Sequence, residues 1–173
     1  MALLRIRHYP ETVLKEIAAP VSVFDPALKE LARDMAETMY AAPGVGLAAP
    51  QVGIGKRLLV IDCSPKDSPP ELLTVVNPEI IEREGEAMEE EGCLSVPGYY
   101  ARVPRSAQVT VRYLDLEGQQ VERRAEGLLA IAFQHEIDHL DGILFVDHLS
   151  PLKKSFFRKR YPKILEQQQQ EQL

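Results

Sequence analysis

His135-Glu136-Ile137-Asp138-His139 constrains this chain more than any other stretch. Two imidazoles four residues apart face the same way on an α-helix, where positions i and i+4 stand one above the other. Both rings can then reach one metal ion, and Glu136 can reach a water beside it, which is the logic of the His-Glu-x-x-His zinc hydrolases. At ~100° per residue, Leu128, Ile131, Ala132, His135 and His139 share one sector of such a helix, and Leu129, Phe133, Ile137 and Leu140 another. The second sector suits a core. The first suits an open site with an apolar strip beside the imidazoles. A core helix whose two histidines merely hydrogen-bond fits the same pattern without a metal.

A chain of 173 residues with 45% hydrophobic content fits one domain with an ordinary core. The net charge of −6 argues against a generic nucleic-acid binder, so no direct DNA binding is expected. No apolar run approaches the ~20 residues of a membrane span, and the start, Met1 to Arg7, has too short an apolar stretch for a signal peptide. Two cysteines, Cys63 and Cys93, make no disulfide framework. A reducing compartment, the cytoplasm, is the natural reading.

Asp25-Pro26 opens a helix with an N-cap and a proline in the first turn. Leu28, Leu31, Met35 and Met39 continue it at helical spacing, and Pro43-Gly44 ends it. Gly44 to Gly53 reads as a glycine-rich loop whose backbone something approaches closely. Arg57–Asp62, Leu72–Val76 and Glu79–Glu84 read as strands. Val109–Leu114 and Gln120–Arg124 flank a hairpin turn at Asp115 to Gly118. The His-Glu-x-x-His helix is expected from about Gly127 to Leu140, with Gly142 near its end. Ser150-Pro151 starts a last helix that Pro162 should kink or end. The Gln-rich stretch 166–173 reads as a disordered tail after a catalytic domain over 1–165.

Two imidazoles do not hold a catalytic metal by themselves. A metzincin needs a third His three residues beyond the Gly after the motif, and Phe145 stands there. A thermolysin-like site needs a Glu on a later helix, and only Glu166 and Glu171 remain. His148 could ligate by chemistry but lies just past the helix, where a rim position is expected. Upstream, Glu91-Gly92-Cys93-Leu94-Ser95-Val96-Pro97 offers a thiolate in a Gly- and Pro-bounded loop. Taken alone, Cys93 reads equally as a small buried residue.

Three segments taken together resemble one family. GVGLAAPQVG over 44–53, EGCLSVP over 91–97 and QHEIDHL over 134–140 are similar, in order and in spacing, to the three motifs of the peptide deformylases. The resemblance runs from about Arg5 to about Pro151. It implies an α+β fold: a single domain of mostly antiparallel strands packed around a central metal-binding helix, with a C-terminal helix. It implies one divalent ion held by Cys93, His135 and His139, with one position left for water. Fe²⁺ is usual in the family, and Zn²⁺, Ni²⁺ or Co²⁺ can replace it. The implied substrate is an N-formyl-methionyl polypeptide and the product formate. Glu136 would be the general base and acid, and the Gln51 side chain and the Leu94 N–H the oxyanion donors. The resemblance also implies that Gly44 and Gly46 let the loop pair with the substrate chain. Val45, Leu128, Ile131 and Ala132 would line the methionine pocket, and Glu91 and Arg105 would pair behind the cysteine loop. Glu89, Tyr99 and Tyr100 depart from the family pattern at the substrate rim. Lys153, Lys154, Arg158, Lys159, Arg160 and Lys163 give the last helix six positive charges between Pro151 and Leu165, with no acid there. Some family members dock on the ribosome through that helix, and a solvated amphipathic face accounts for the same charges.

Overall fold

The computed structural model describes residues 2–171. Strand β2 (Leu58–Ile61) is buried along its whole length and divides the main core. Successive side chains of a strand point to opposite faces. Leu58 and Val60 therefore join one cluster with Leu28, Ala32, Met35 and Met39 of helix α1 (Pro26–Ala41). Leu59 and Ile61 join another with Ala130, Phe133, Ile137 and Leu140 of helix α2 (Gly127–Leu140). The sheet between the two helices is antiparallel throughout. It comprises β1 (Gly46–Ala48), β2, β3 (Leu73–Glu84), β6 (Gln108–Leu114) and β7 (Gln120–Glu126), in the order β1-β2-β3-β6-β7. A separate two-stranded sheet pairs β4 (Ala87–Cys93) with β5 (Val96–Arg105). A third cluster lies under it, where Val96 and Val103 meet Phe145, Val146 and Leu149 and, from helix α3 (Pro151–Glu171), Phe157 and Tyr161. The α+β expectation holds. No helix among the described residues is long and apolar enough to cross a membrane.

Local sequence explains most boundaries. The Asp25 carboxylate accepts from the Leu28 N–H and caps α1, with Pro26 at its first position. The β6–β7 turn falls at Asp115 to Gly118, where the Asp115 carboxylate accepts from the Glu117 and Gln119 N–H groups. Helix α2 ends on Gly142 at φ 74°, a conformation that favours glycine.

Four expectations change. The two strands read at Leu72–Val76 and Glu79–Glu84 are one strand, β3, whose register shifts at Asn77-Pro78. Proline lacks a ladder donor and sits at such irregularities, and Asn77 there exchanges side-chain hydrogen bonds with the Val21 backbone. The glycine-rich stretch 44–53 is not wholly loop: it holds β1 and a 3-10 turn at Ala49–Val52. Pro162 lies inside α3 and does not end it, because Phe157, Tyr161 and Leu165 pack on the third cluster on both sides of that proline. The Gln-rich stretch read as disordered is helical as far as Glu171, and residues 172 and 173 lie outside the described residues. A Cβ on Gly98 would stand 2.7 Å from Ile164 and 2.6 Å from Gln168, so this end of α3 lies directly on β5.

Candidate metal centre and substrate cleft

Helix α2 carries His135 and His139 on the side away from its core contacts, and β4 ends at Cys93 opposite them. One ligand atom from each of the three residues falls within 4.8 Å of the others. Cys93 Sγ lies 3.4 Å from His139 Nε2. Metal bonds of 2.0–2.3 Å in a tetrahedron place such donor atoms about 3.5 Å apart, so the spacing fits one ion. Among the described residues the donor group ends at these three. Phe145 is buried in the third cluster, its ring stacked on His135 at 6.1 Å. His148 hydrogen-bonds Asp138 and does not belong to the triangle.

The charges around the triangle favour a cation. Burial works against a charged His135, but Glu136, Cys93 and Glu91 outweigh it and hold its pKa well above the ordinary value. Burial, helped by the positive field of His135, pushes His139 well below it. A metal ion satisfies this mixed set of sulfur and nitrogen donors without any proton.

Behind the triangle runs a chain of charged groups. The Glu91 carboxylate accepts from His135 Nδ1 at 2.9 Å, which turns that ring's Nε2 toward Cys93 and His139. Arg105 grips Glu91 through Nε and Nη2, both at 2.9 Å, and donates from Nη1 to Asp138 at 2.7 Å. His148 approaches the same Asp138 oxygen at 2.7 Å. Burial opposes the Glu91 charge, yet the Arg105 and His135 hydrogen bonds bring its pKa down to about 2. Glu91 and Arg105, which the resemblance pairs, thus form an ion pair. Asp138 and His148 extend it, and no short-range pattern in the sequence signals that.

Glu136 is 4% exposed, and its Oε1 has no hydrogen-bond partner among the described residues. Its Oε2 lies 4.0 Å from His135 Nε2. Burial, reinforced by Glu91 and Asp138 and opposed by His135 and Arg105, raises its pKa to about 7. A carboxyl group with such a pKa can both take and give a proton near neutrality. Gly46 makes room for it, since a Cβ there would meet Glu136 Oε2 at 2.7 Å.

Gln51 is 1% exposed on the 3-10 turn. Its Oε1 accepts from the Ala48 N–H at 2.9 Å, which leaves Nε2 to donate to Ser95 Oγ at 3.0 Å beside Cys93 Sγ at 3.6 Å. Leu94 and Ser95 form the turn between β4 and β5. The role of Ser95 in holding Gln51 is invisible in sequence, because a serine in a turn ordinarily bonds its own backbone.

A cleft of about 900 Å³ opens over this group. Gly44, Val45 and Gly46 line one side; Leu128, Ile131 and Ala132 line the helix side; His135, Glu136 and Gln51 lie within it. Glu89, Tyr99 and Tyr100 form its rim. Every residue expected around the substrate falls on this one cleft, Val45 and Leu128 being about half exposed.

A cysteine sulfur and two imidazoles beside a buried carboxylate, open to a cleft, fit a metal-dependent hydrolase. Known proteins narrow the class. The family model for polypeptide deformylase matches residues 3–155. A peptide deformylase of Thermodesulfovibrio yellowstonii is 52% identical over 161 residues, covering 93% of this chain and 98% of its own. The crystal structure of a peptide deformylase from Legionella pneumophila aligns with a TM-score of 0.90 at 50% identity, over 96% of this chain and 98% of that one. One from Ehrlichia chaffeensis, in complex with actinonin, aligns with a TM-score of 0.88 at 37% identity, over 94% and 98%. The chain belongs to the polypeptide deformylase family, enzymes that hydrolyse the formyl group from the N-terminal formyl-methionine of new polypeptides.

Proposed function

We propose that Cys93, His135 and His139 hold one divalent ion, and that Glu136, Gln51 and the Leu94 N–H carry out deformylation of a formyl-methionyl peptide lying in the cleft. The observation that supports this most is the unpartnered Glu136 Oε1 beside a triangle of three donors. When bound, the ion supplies Lewis acidity and makes water acidic enough to ionise near neutral pH. Glu136 takes the proton of the attacking water at Oε1 and delivers it to the leaving amine. In this reading Gln51 Nε2 and the Leu94 N–H donate to the negative charge that develops on the formyl oxygen, each worth on the order of 3 kcal/mol of barrier. The methionine side chain packs among Val45, Leu128, Ile131 and Ala132. Gly44 and Gly46 let the β1 backbone lie against the extended substrate.

The ion is Fe²⁺ in this reading, with Zn²⁺, Ni²⁺ and Co²⁺ able to replace it. The protein works in the cytoplasm, where its substrates emerge. The basic stretch of α3 docks weakly on the ribosome, an attraction that salt should screen. Formate release from a formyl-Met peptide, measured anaerobically on iron-loaded protein with the metal quantified, tests the main reading. Absence of formate at full iron occupancy would refute it. For α3, neutralising Lys153, Lys154, Arg158 and Lys159 to Gln should abolish co-sedimentation with ribosomes at low salt. Undiminished co-sedimentation would remove the docking role.

A further inference from the structure

The two oxyanion donors sit on different parts of the chain, Gln51 on the 3-10 turn after β1 and Leu94 in the turn between β4 and β5. These parts belong to different sheets. Their spacing must nevertheless be fixed, because a misplacement of about 1 Å can cost on the order of a hundredfold in rate.

The N-terminal segment spans the gap. The Arg7 N–H donates to the Gln51 carbonyl at 2.6 Å, and the Tyr9 N–H donates to the Ser95 carbonyl at 2.8 Å. Between them the His8 N–H turns the other way, to the Glu11 carboxylate at 2.7 Å. The backbone N–H groups of Arg7 and Tyr9, two residues apart, thus bond to both donor-bearing turns. The Arg7 side chain lies over Gly53, where a Cβ would stand 3.0 Å from its Nε. The Tyr9 ring is gripped edge-on by Phe157 at 5.3 Å and Tyr161 at 5.6 Å, both from α3. Farther back, the Leu4 N–H bonds Thr38 Oγ1 of α1 at 2.9 Å.

We propose that Arg7 to Tyr9 is a strap that sets the separation of the two oxyanion donors, and that Tyr9 is its positioning residue, through which α3 is mechanically linked to the reaction site. Tyr9 touches no reacting atom. It acts through the Ser95 carbonyl and the peptide that carries the Leu94–Ser95 turn. The claim rests on the assignment of Gln51 and Leu94 as donors. Donors that act only in the transition state affect kcat and kcat/KM alike and leave KM alone, so a loosened strap has its own kinetic mark.

The test compares Tyr9→Ala, Tyr9→Phe and Phe157→Leu with Val111→Ala, a core truncation between β3 and β7 remote from the strap. Each protein is loaded with zinc, and its metal content, melting temperature, kcat, KM and the ¹⁵N–¹H resonances of Leu94 and the Gln51 side-chain amide are measured. Tyr9→Ala should lose about tenfold in kcat at full metal content, with KM within about twofold, and should shift both resonances. Tyr9→Phe, which keeps the gripped ring, should restore both. Phe157→Leu should fall between and keeps the test available should Tyr9→Ala not fold. Val111→Ala should lower the melting temperature with unchanged kcat and resonances. Wild-type kcat in Tyr9→Ala or in Phe157→Leu, unmoved resonances, or an equal kcat loss in Val111→Ala would overturn the strap. Failure of the wild-type protein to release formate would instead count against the deformylation reading, and the resonances would still judge the strap.

Discussion

Removing the Cys93 sulfur leaves two imidazoles on one helix face and no third donor within reach among the described residues. Cys93→Ala should therefore purify with little or no bound metal, as read by elemental analysis; full metal occupancy would point to another ligand. Glu136→Gln is a different test, since the amide fills the same space but cannot carry the proton. It should keep its metal and lose roughly 10²–10⁴-fold in kcat, measured as formate release. Wild-type turnover in that variant would refute the shuttle. Gly46→Ala probes the space between β1 and the carboxylate. The added methyl would stand 2.7 Å from Glu136 Oε2, so kcat should fall through displacement of Glu136 while metal content holds. At this scale the sequence was legible where chemistry is local. The two histidines four apart define a helix face by themselves. Cys93 and Gln51 have no such local sign: each is an ordinary residue until a distant segment is brought against it, and only the likeness of three ordered motifs gave them roles.

Elements differed in legibility for reasons of composition. Helices α1 and α2 announce themselves through an Asp-Pro cap and apolar residues at helical spacing. The β4–β5 pair does not. Ala87–Cys93 contains three consecutive glutamates and Val96–Arg105 two prolines and a glycine, all poor strand formers. What buries this hairpin is partly ionic: Glu91 and Arg105, both under a tenth exposed, face inward where an apolar pair would be expected. Arg105→Ala would strand the Glu91 carboxylate without its partner. Breaking a buried pair from one side costs about 3–5 kcal/mol, so unfolding in urea should occur at a clearly lower midpoint. The same variant should bind metal more weakly, because His135 loses the brace behind its ring. An unchanged midpoint would mean that Glu91 is supported otherwise.

Across the molecule, α1 is tied to the sheet at its far end by Tyr40, whose hydroxyl donates to Asp62 at 2.6 Å. Asp62 follows β2, and its N–H bonds the Val45 carbonyl at 2.8 Å, so this tie also anchors one lip of the cleft. Burial opposes the Asp62 charge, but hydrogen bonds from Ser64, Tyr40 and the Glu71 backbone lower its pKa to about 2. An aspartate in the unfolded chain titrates near ~3.9. The stabilisation is therefore complete above about pH 4 and is lost as the pH falls toward 2. Tyr40→Phe should melt below the wild type at neutral pH, and the gap should close on acidification over that interval. A gap independent of pH would show that the hydroxyl acts through packing alone.

The hairpin that supplies the sulfur and the five-stranded sheet that seats the imidazole helix share no ladder of backbone bonds. Side chains and the two backbone bonds of the Arg7–Tyr9 strap close their seam, and an ion held by Cys93, His135 and His139 would lie across it like a rivet through two plates. Stripping the metal should loosen that joint before it melts either plate. Amide hydrogens of β4 and β5 should then exchange faster in chelator-treated protein, while those of β2 and β3 keep their protection.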